Sequence, residues 1–367
     1  MIPTASGHGA ADPAPLTRLV GVGTAVPATS YTQTELLDAF RIDDPRIRSV
    51  FLNSAIQRRH LTLPPEGSDG RRVPERQGEL LGKHRQQAVD MAVRAVTECL
   101  KESGAAPGDI RYLCCVTSTG FLTPGLSALV LRELGIERHC GRLDIVGMGC
   151  NAGLNALNAV SGWARANPGQ LAVMVCAEAC SAAYVFDGTM RTSVVNSLFG
   201  DGAAAIAAVA HEGIEARAGR TGPEVVKFAS VIIPEAMDAM RFDWDGAQDR
   251  FSFFLDPEVP YVVGAHAEEV VTRLLAGTGL RRSGIDHWLI HSGGKKVIDA
   301  VMINLGLSRH DVRHTTAVLR DFGNLSSGSF LFSYQRLLDE GVIRPGEHGV
   351  LMTMGPGSTI ETALVRW

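Results

Sequence analysis

The stretch DIVGMGCNAGLNALNAV, residues 144–160, carries a single cysteine, Cys150, between two different apolar patterns. Residues 141–150 predict a buried strand, and residues 151–169 predict a helix that ends at the Asn-Pro-Gly of its last three positions. The free N–H groups at a helix start favour negative charge and can lower the pKa of a thiol. Cys150 is therefore either a nucleophile or, like most free cysteines, a small buried side chain in a turn.

The alternation of strands and helices around Cys150 continues along the chain and recurs in its second part. Predicted strands lie at 18–27, 110–119, 171–179, 202–210, 285–294, 348–357 and 360–367, and predicted helices at 84–104, 123–136, 265–280, 295–307 and 328–341. Nearly continuous apolar strands between helices indicate an α/β fold whose sheets are buried on both faces. The recurrence predicts a loose tail (1–17), an N-terminal half (18–220) and a C-terminal half (221–367), joined by the polar stretch 210–227.

Composition excludes several classes of function. The 367 residues carry a net charge of -4 and are 45% hydrophobic, so neither nucleic acid nor a membrane is an expected partner. The seven cysteines include no CxxC pair and no cysteine–histidine cluster of zinc spacing, so no metal site is predicted. The odd cysteine count and an N-terminus without signal-peptide character predict a cytoplasmic location. No apolar run reaches the ~18 residues of a membrane span.

Two further polar residues occupy positions where a side chain can act on a substrate. His291 ends the strand pattern HWLIH before a glycine turn, and the carboxyl ends of strands commonly carry functional groups in α/β sheets. Asn324 lies in the loop DFGNLSSGSF before a predicted helix. Either residue could instead serve only its own turn or helix cap. His84 and His314 lie in polar stretches and are predicted to be at the surface.

Five segments, taken in order, resemble the type III polyketide synthases, the chalcone-synthase-like branch of the thiolase superfamily: GMGCNAGLNAL, SLFGDGAAA, HWLIHSGGKKVID, DFGNLSSGSF and MGPGSTIE. The resemblance runs from about residue 18 to the end of the chain. It implies a thiolase-like αβαβα layered fold with two pseudo-symmetric halves, a homodimer and a reaction without a cofactor. The stretches around Cys150 and over residues 176–205 are most similar to the bacterial branch that makes 3,5-dihydroxyphenylacetyl-CoA from malonyl-CoA in antibiotic biosynthesis.

The resemblance places a catalytic triad at Cys150, His291 and Asn324. The Cys150 thiolate, paired with an imidazolium-like His291, would attack an acyl-CoA and hold the growing chain. His291 and Asn324 would donate hydrogen bonds to the thioester carbonyl of malonyl-CoA and stabilise the enolate left by loss of carbon dioxide. Phe199 matches the family's gatekeeper phenylalanine, which would exclude water; a phenylalanine before Gly-Asp-Gly is otherwise a common core residue.

Further positions match substrate-binding residues of the family. Ser118, Thr119 and Cys180 align with residues that line the reaction cavity, although they also fit strand-end and packing roles. Lys295 and Lys296 stand at a predicted helix start and form a candidate site for a CoA phosphate or the malonyl carboxylate. Two solvated lysines are an equally good interpretation of the pair.

The basic stretch 44–61 corresponds to the family's CoA-binding segment. Arg46 and Arg48 fall at or near the phosphate-binding positions. Arg58 and Arg59 follow in the same stretch and equally fit a solvated face.

The residues leave two other functions open. A β-ketoacyl-carrier-protein synthase of the third type shares the Cys-His-Asn set, but the chain length, the GPGSTIE ending and Phe199 count against it. A catalytically silent acyl-CoA-binding partner would usually lack the nucleophile, and Cys150 is present.

Overall fold

The computed structural model describes residues 16–210 and 222–367. Residues 1–15 of the predicted tail and 211–221 of the predicted join lie outside the described residues. The strands are β1 (Thr17–Ala25), β2 (Ser30–Thr32), β3 (Arg58–His60), β4 (Ile110–Thr117), β5 (Gly141–Val146), β6 (Leu171–Glu178), β7 (Gly202–Ala210), β8 (Glu224–Ile232), β9 (Met240–Asp245), β10 (Arg250–Leu255), β11 (His287–Ile290), β12 (His348–Gly355) and β13 (Thr359–Arg366).

Strands from both parts of the chain join in one nine-stranded sheet, in the order β11-β12-β13-β8-β1-β7-β6-β4-β5. Strand β4 runs parallel to β5 and β6, β11 runs parallel to β12, and the other neighbours are antiparallel. The two parts meet where β1 pairs with β8, at Thr17–Val225 and Arg18–Glu224. Every residue of β6 and β7 is buried, as expected for strands covered on both faces.

Helices cover the sheet in layers. They are α1 (Gln33–Ala39), α2 (Pro45–Leu52), α3 (Gln77–Ser103), α4 (Leu126–Leu134), α5 (Ala152–Ala166), α6 (Met190–Asn196), α7 (Val259–Leu275), α8 (Lys295–Leu305), α9 (Arg313–Phe322) and α10 (Ser329–Glu340). In the part of the chain that the structure describes, none of them combines the length and apolarity needed to cross a bilayer.

Three buried clusters define the order of the layers. In the central cluster, Leu157 of α5 and Phe330 of α10 pack against Met174 of β6 and Leu351 of β12, so these two helices lie between the two parts of the sheet. Helices α3 and α4 cover the outer face of β4, β6 and β7, and α7 and α8 cover the outer face of β11 and β12. The predicted α/β class and αβαβα layering are confirmed.

Most elements agree with the sequence prediction, with informative differences at their ends. The strand predicted at 285–294 stops at Ile290, because the following residues turn away and reach α8 through Gly294, whose φ is 139°. The helix predicted at 265–280 begins at Val259 and ends at Leu275. The unpredicted elements are strands β2, β3, β8, β9 and β10 and helices α1, α2, α6 and α9. Strand β8 begins at Glu224, inside the stretch predicted as a polar join. The division into halves at 220/221 stays a prediction.

Candidate active site

Cys150 lies in a tight turn between β5 and α5. Gly147 and Gly149 both have φ of 78°, a left-handed conformation that glycine adopts without strain. The N–H of Gly149 donates to Ser118 Oγ at 2.7 Å. A single helical turn over Gly149–Asn151 then leads into α5, so the thiol stands just ahead of the helix, where free N–H groups concentrate.

The segment MGPGSTIE packs directly against this turn. A Cβ on Gly149 would lie 2.2 Å from the Cδ of Pro356, and a Cβ on Gly355 would lie 2.4 Å from Asn151 Oδ1 and 3.0 Å from the Cys150 nitrogen. Only glycine at these two positions permits so close an approach. The end of β12 therefore braces the backbone that holds Cys150.

Cys150, His291 and Asn324 line one cavity of about 940 Å³. All three side chains are buried. They arrive from separate elements: the turn before α5, the end of β11 and the loop before α10. The triad positions suggested by the resemblance are thus brought to one chamber.

Two hydrogen bonds orient the amide of Asn324. Its Oδ1 accepts from the N–H of Ser326 at 2.8 Å, and its Nδ2 donates to the Gly293 carbonyl at 3.4 Å. Because Oδ1 is occupied by a backbone donor, the amide presents Nδ2, its donor, to the cavity. An oxygen that gains negative charge in this chamber would meet a donor.

Two hydrogen bonds orient His291, one to its ring and one to its backbone. Its Nδ1 shares a short hydrogen bond with Ser329 Oγ, and its backbone N–H donates to the Met352 carbonyl. Since Nδ1 is engaged and His291 lines the cavity, Nε2 is the nitrogen that can meet a substrate. A hydroxyl either donates or accepts, so Ser329 is compatible with a proton on either ring nitrogen.

Burial opposes charge on both the cysteine and the histidine. Loss of hydration raises the pKa of Cys150 to about 12, with the hydrogen bond to Ser326 acting in the opposite direction. Loss of hydration also lowers the pKa of His291 to about 3. The resting site therefore favours a neutral thiol beside a neutral imidazole. Charge separation between the two requires direct stabilisation by each other or by substrate, and the thiolate–imidazolium pair stays a prediction.

The buried Glu178, which was not singled out in the sequence, is linked to the Cys150 thiol through Ser326. The Cys150 thiol donates to Ser326 Oγ at 3.5 Å, and Ser326 Oγ donates to Glu178 Oε1 at 3.2 Å. Glu178 also accepts from Ser327 Oγ at 2.5 Å and from the N–H of Ser118 at 2.9 Å. Ser326 has φ of 50°, a strained conformation held by these bonds. Nothing in the stretch CAEAC distinguishes this glutamate before folding.

Phe199 belongs to an aromatic wall rather than to the main core. Its ring stacks on Tyr184 at a centroid distance of 4.0 Å, and Tyr184 meets the edge of Phe253 at 5.3 Å. All three rings line the cavity. Tyr184 and Phe253 come from segments with no periodic signal, so sequence reasoning missed them.

Of the other predicted cavity residues, one lines the cavity and two lie behind its wall. Ser118 lines the cavity. Thr119 lies behind the wall, where its Oγ1 accepts from the N–H of Ala179 at 3.0 Å and contacts His84 Nδ1 at 3.2 Å. Cys180 packs behind Phe199 and lines a separate, small cavity. All three residues lie just beyond the ends of β4 and β6, so strand alternation does not fix which of them faces the cavity.

Of the four predicted CoA-binding cations, two line the cavity and two do not. Lys295 and Lys296 line the cavity at the start of α8, and Lys295 pairs with Asp299 at 2.5 Å on the surface. Arg46 and Arg48 are not brought to the cavity. Arg46 points to solvent and pairs with Asp44, its helix cap, and Arg48 donates to the Ile42 carbonyl.

The part of α2 that does face the cavity is uncharged. Ser49 and Asn53 line the cavity there. They lie four positions apart, so one helix face meets the chamber and the arginines occupy another.

Two histidines predicted at the surface are buried, and those predictions are wrong. His84 is fully buried on the inner face of α3, four positions after Leu80 and four before Ala88, and burial lowers its pKa to about 4. The helical spacing of its apolar neighbours was the available signal. His314 is buried on α9, where its Nε2 contacts Glu340 at 2.9 Å.

Comparisons with known proteins agree with this geometry. Residues 224–367 match the family of chalcone and stilbene synthases, C-terminal domain, and residues 61–232 match the FAE1/type III polyketide synthase-like proteins. The chain is 72% identical over 353 residues to 3,5-dihydroxyphenylacetyl-CoA synthase of Streptomyces toyocaensis, covering 96% of this chain and 90% of that relative. Identity to the synthase of the same name from Amycolatopsis orientalis is 71%, covering 96% and 94%.

Solved structures share the fold along almost the whole chain. The crystal structure of 1,3,6,8-tetrahydroxynaphthalene synthase from Streptomyces coelicolor A3(2) is similar with a TM-score of 0.84 at 27% identity, covering 95% of this chain and 99% of that one. The C-terminal type III polyketide synthase domain of Steely1 from Dictyostelium gives 0.85 at 25% identity, covering 96% and 99%.

Proposed function

Because this chain belongs to the type III polyketide synthase family, we propose that it performs iterative decarboxylative condensation of malonyl-CoA on a chain bound to Cys150, followed by cyclisation. The observation that carries the proposal is that Cys150, His291 and Asn324 line a single buried cavity. Relatives named 3,5-dihydroxyphenylacetyl-CoA synthase are 70% to 72% identical to this chain, so the proposed product is 3,5-dihydroxyphenylacetyl-CoA, built from malonyl units.

Loading begins when Sγ of Cys150 attacks the thioester carbon of an acyl-CoA. His291 Nε2 takes the thiol proton as the new S–C bond forms, and returns it to the CoA sulfur as the old S–C bond breaks. The backbone N–H of Cys150 stabilises the oxygen of the tetrahedral intermediate, because it lies in the helical turn directly ahead of α5. The high pKa of the buried thiol makes this proton acceptor necessary.

Decarboxylation uses the two fixed donors. The bond between the malonyl carboxylate and the α-carbon breaks, carbon dioxide leaves, and the electron pair passes to the thioester oxygen as an enolate. Nδ2 of Asn324 stabilises that charge, as does Nε2–H of His291 in the tautomer whose Nδ1 accepts from Ser329. The carbanion then attacks the acyl carbon on Cys150: a C–C bond forms, the S–C bond to Cys150 breaks, and the sulfur leaves as a thiolate that can accept the extended chain. Phe199 presents an apolar ring that favours neutral carbon dioxide over the carboxylate.

Two groups of residues are proposed to bind the substrate. Lys295 and Lys296 hold CoA phosphates at the mouth, where the N-terminal amides of α8 add to their attraction for anions. Ser118 lines the chamber, and Thr119 and Cys180 support its wall from behind. Arg46 and Arg48 act at most as a distant positive field, since neither faces the cavity.

A homodimer is the proposed assembly. Among the described residues, β5 is the last strand on one side of the large sheet, and Val146 at its end is 44% exposed. A second copy related by a two-fold axis would cover this edge and its exposed valine. The proposed location is the cytoplasm, which suits seven cysteines that form no disulfide among the described residues. The proposed halves (18–220 and 221–367) contribute Cys150 and the His291–Asn324 pair respectively.

The direct test is incubation of the purified protein with labelled malonyl-CoA as the only acyl donor, read by mass spectrometry. The expected product is 3,5-dihydroxyphenylacetyl-CoA, with carbon dioxide and free CoA released. Turnover that requires an acyl-carrier protein would overturn the proposal, as would an absence of any condensation product.

A further inference from the structure

Arg59 is a fully buried arginine, although the sequence equally suggested a solvated face. It lies on β3 at 1% exposure, whereas its neighbour Arg58 is exposed and reaches Ser30 Oγ at 2.7 Å. Burial lowers the pKa of Arg59 to about 9, with Asp201 opposing that shift. Burial of a charged group costs free energy unless its donors are hydrogen-bonded. The partners of the Arg59 N–H groups therefore indicate its role.

The guanidinium of Arg59 holds the turn that follows α6. Its Nη1 donates to the carbonyl of Phe199 at 2.8 Å and, more closely, to that of Asn196. Its Nη2 donates to Gln33 Oε1 at 2.8 Å, and Gln33 Nε2 in turn donates to the Ser197 carbonyl at 2.8 Å. Three carbonyl groups of one short turn are therefore fixed by a single Arg59–Gln33 pair.

The opposite side of the same turn carries the backbone of Asn324. The N–H of Asn324 donates to the Leu198 carbonyl at 2.8 Å, and the N–H of Gly200 donates to the Asn324 carbonyl at 3.0 Å. Gly323 packs so closely against this turn that a Cβ on it would lie 2.6 Å from the Leu198 oxygen and 2.9 Å from Cδ of Arg59. The turn thus sits between Arg59 and the residue proposed to stabilise the enolate.

We propose that Arg59 is a positioning residue that sets the Asn324 amide and the Phe199 ring for decarboxylation through the turn at residues 196–200. The inference rests on the proposed function of Asn324. The hydrogen-bond acceptors of Arg59 among the described residues are neutral, and the charge of Asp201 acts on it without a hydrogen bond between them. The proposed role is therefore to fix geometry through directed hydrogen bonds. Loading of Cys150 does not use Asn324 and should be far less sensitive to the turn.

The test compares Arg59→Lys with the matched, exposed Arg58→Lys. Lysine keeps the charge but lacks the fork that reaches Gln33 and two carbonyls together. Conversion of malonyl-CoA to acetyl-CoA and carbon dioxide is measured beside acyl transfer to Cys150, followed by intact mass. Arg59→Lys should lower decarboxylation about 10- to 100-fold, as expected when a catalytic group is displaced by about 1 Å, with loading within about threefold of wild type. Arg58→Lys should change neither.

The ratio of the two activities is independent of how much protein folds. Equal losses in both, or unchanged decarboxylation, would overturn the positioning role. If Arg59→Lys is insoluble, Gln33→Ala provides a second variant, which should also lower decarboxylation more than loading.

Hydrogen exchange provides a readout without turnover. The amides of Gly200 and Asn324 should exchange faster in Arg59→Lys than in wild type, and their exchange rates should be unchanged in Arg58→Lys. If wild type fails to decarboxylate malonyl-CoA, the proposed function fails, while the exchange result still decides whether Arg59 orders the turn.

Discussion

Among individual residues, Cys150, His291 and Asn324 divide the chemistry by the atoms each one presents. Cys150 presents a thiol whose pKa burial raises, His291 presents Nε2 because Ser329 holds Nδ1, and Asn324 presents Nδ2 because the Ser326 N–H occupies Oδ1. The two donors face the chamber in which an enolate oxygen would form. Each role therefore predicts a different defect on substitution.

Removal of the Asn324 amide should slow decarboxylation more than loading. We expect Asn324→Ala to lose about 10²- to 10³-fold in decarboxylation, the usual cost of one donor to a developing oxyanion. Asn324→Asp should be worse, because a carboxylate repels the enolate. Release of labelled carbon dioxide and acylation of Cys150 by intact mass are the two measurements. Loading that fails first in Asn324→Ala would contradict the assigned role.

Selective alkylation should identify Cys150 as the nucleophile. Iodoacetamide should label it faster than Cys99, whose pKa burial raises further and which donates only to a backbone carbonyl. Because His291 is the proton acceptor, His291→Ala should slow labelling at neutral pH by about tenfold or more. Peptide mapping by mass spectrometry gives both rates. Equal labelling of the two cysteines would favour a catalytically silent protein.

Among the helices, α8 places its predicted CoA-binding residues at the cavity, and α2 does not. Helix α8 brings Lys295 and Lys296 to the cavity, whereas α2 turns Arg46 to solvent and offers Ser49 and Asn53. The anchor for CoA phosphates is therefore expected at the start of α8. A helix N-terminus with two lysines attracts anions by both charge and dipole.

Replacement of Lys296 should weaken binding of malonyl-CoA without removing catalysis. We expect Lys296→Ala to raise KM about fivefold at low salt, and less at high salt, because partly exposed charges are screened. Arg46→Ala, on the face of α2 that points to solvent, is the control and should leave KM unchanged. Malonyl-pantetheine, which lacks the phosphates, should show no difference between Lys296→Ala and wild type. A fivefold effect that persists with malonyl-pantetheine would place the lysine elsewhere.

Helix α3 should contribute a pH dependence of stability through His84. Its folded pKa of about 4 lies below the ordinary 6.5, so the unfolded chain binds a proton that the folded chain excludes between these values. Stability from His84 is therefore complete above pH 6.5 and falls, by at most about 1.4 kcal/mol per pH unit, as pH drops toward 4. Chemical denaturation should show a shallower pH slope in His84→Asn. His291 is present in both proteins, so its contribution cancels.

The molecule as a whole is proposed to work as a pair of subunits. Among the described residues, β5 forms one border of the large sheet, and its last residue, Val146, is exposed there. Val146→Asp should place a charge in that border and shift the protein toward monomers. Light scattering after size-exclusion chromatography measures the mass of each species. A wild-type protein that is monomeric at micromolar concentration would exclude the proposed dimer.

The sequence by itself determined the α/β class and most strand and helix positions, and its motifs indicated the three residues proposed as the triad. These follow from local causes: apolar periodicity, glycines at close turns, and motifs in which the reacting residue is embedded. His84 shows that local polarity misleads, because burial on α3 depends on a helix face and not on adjacent residues in the chain.

The tertiary structure alone decided which side chains share the cavity. Glu178, Tyr184 and Phe253 reach the site or its support from segments without a distinctive pattern, while Thr119 and Arg46 turn away from it. Arg59 is buried and donates hydrogen bonds to a turn that contacts Asn324, more than 260 residues further along the chain. Such contacts depend on how whole elements pack, and packing between distant segments leaves no trace in the spacing of neighbouring residues.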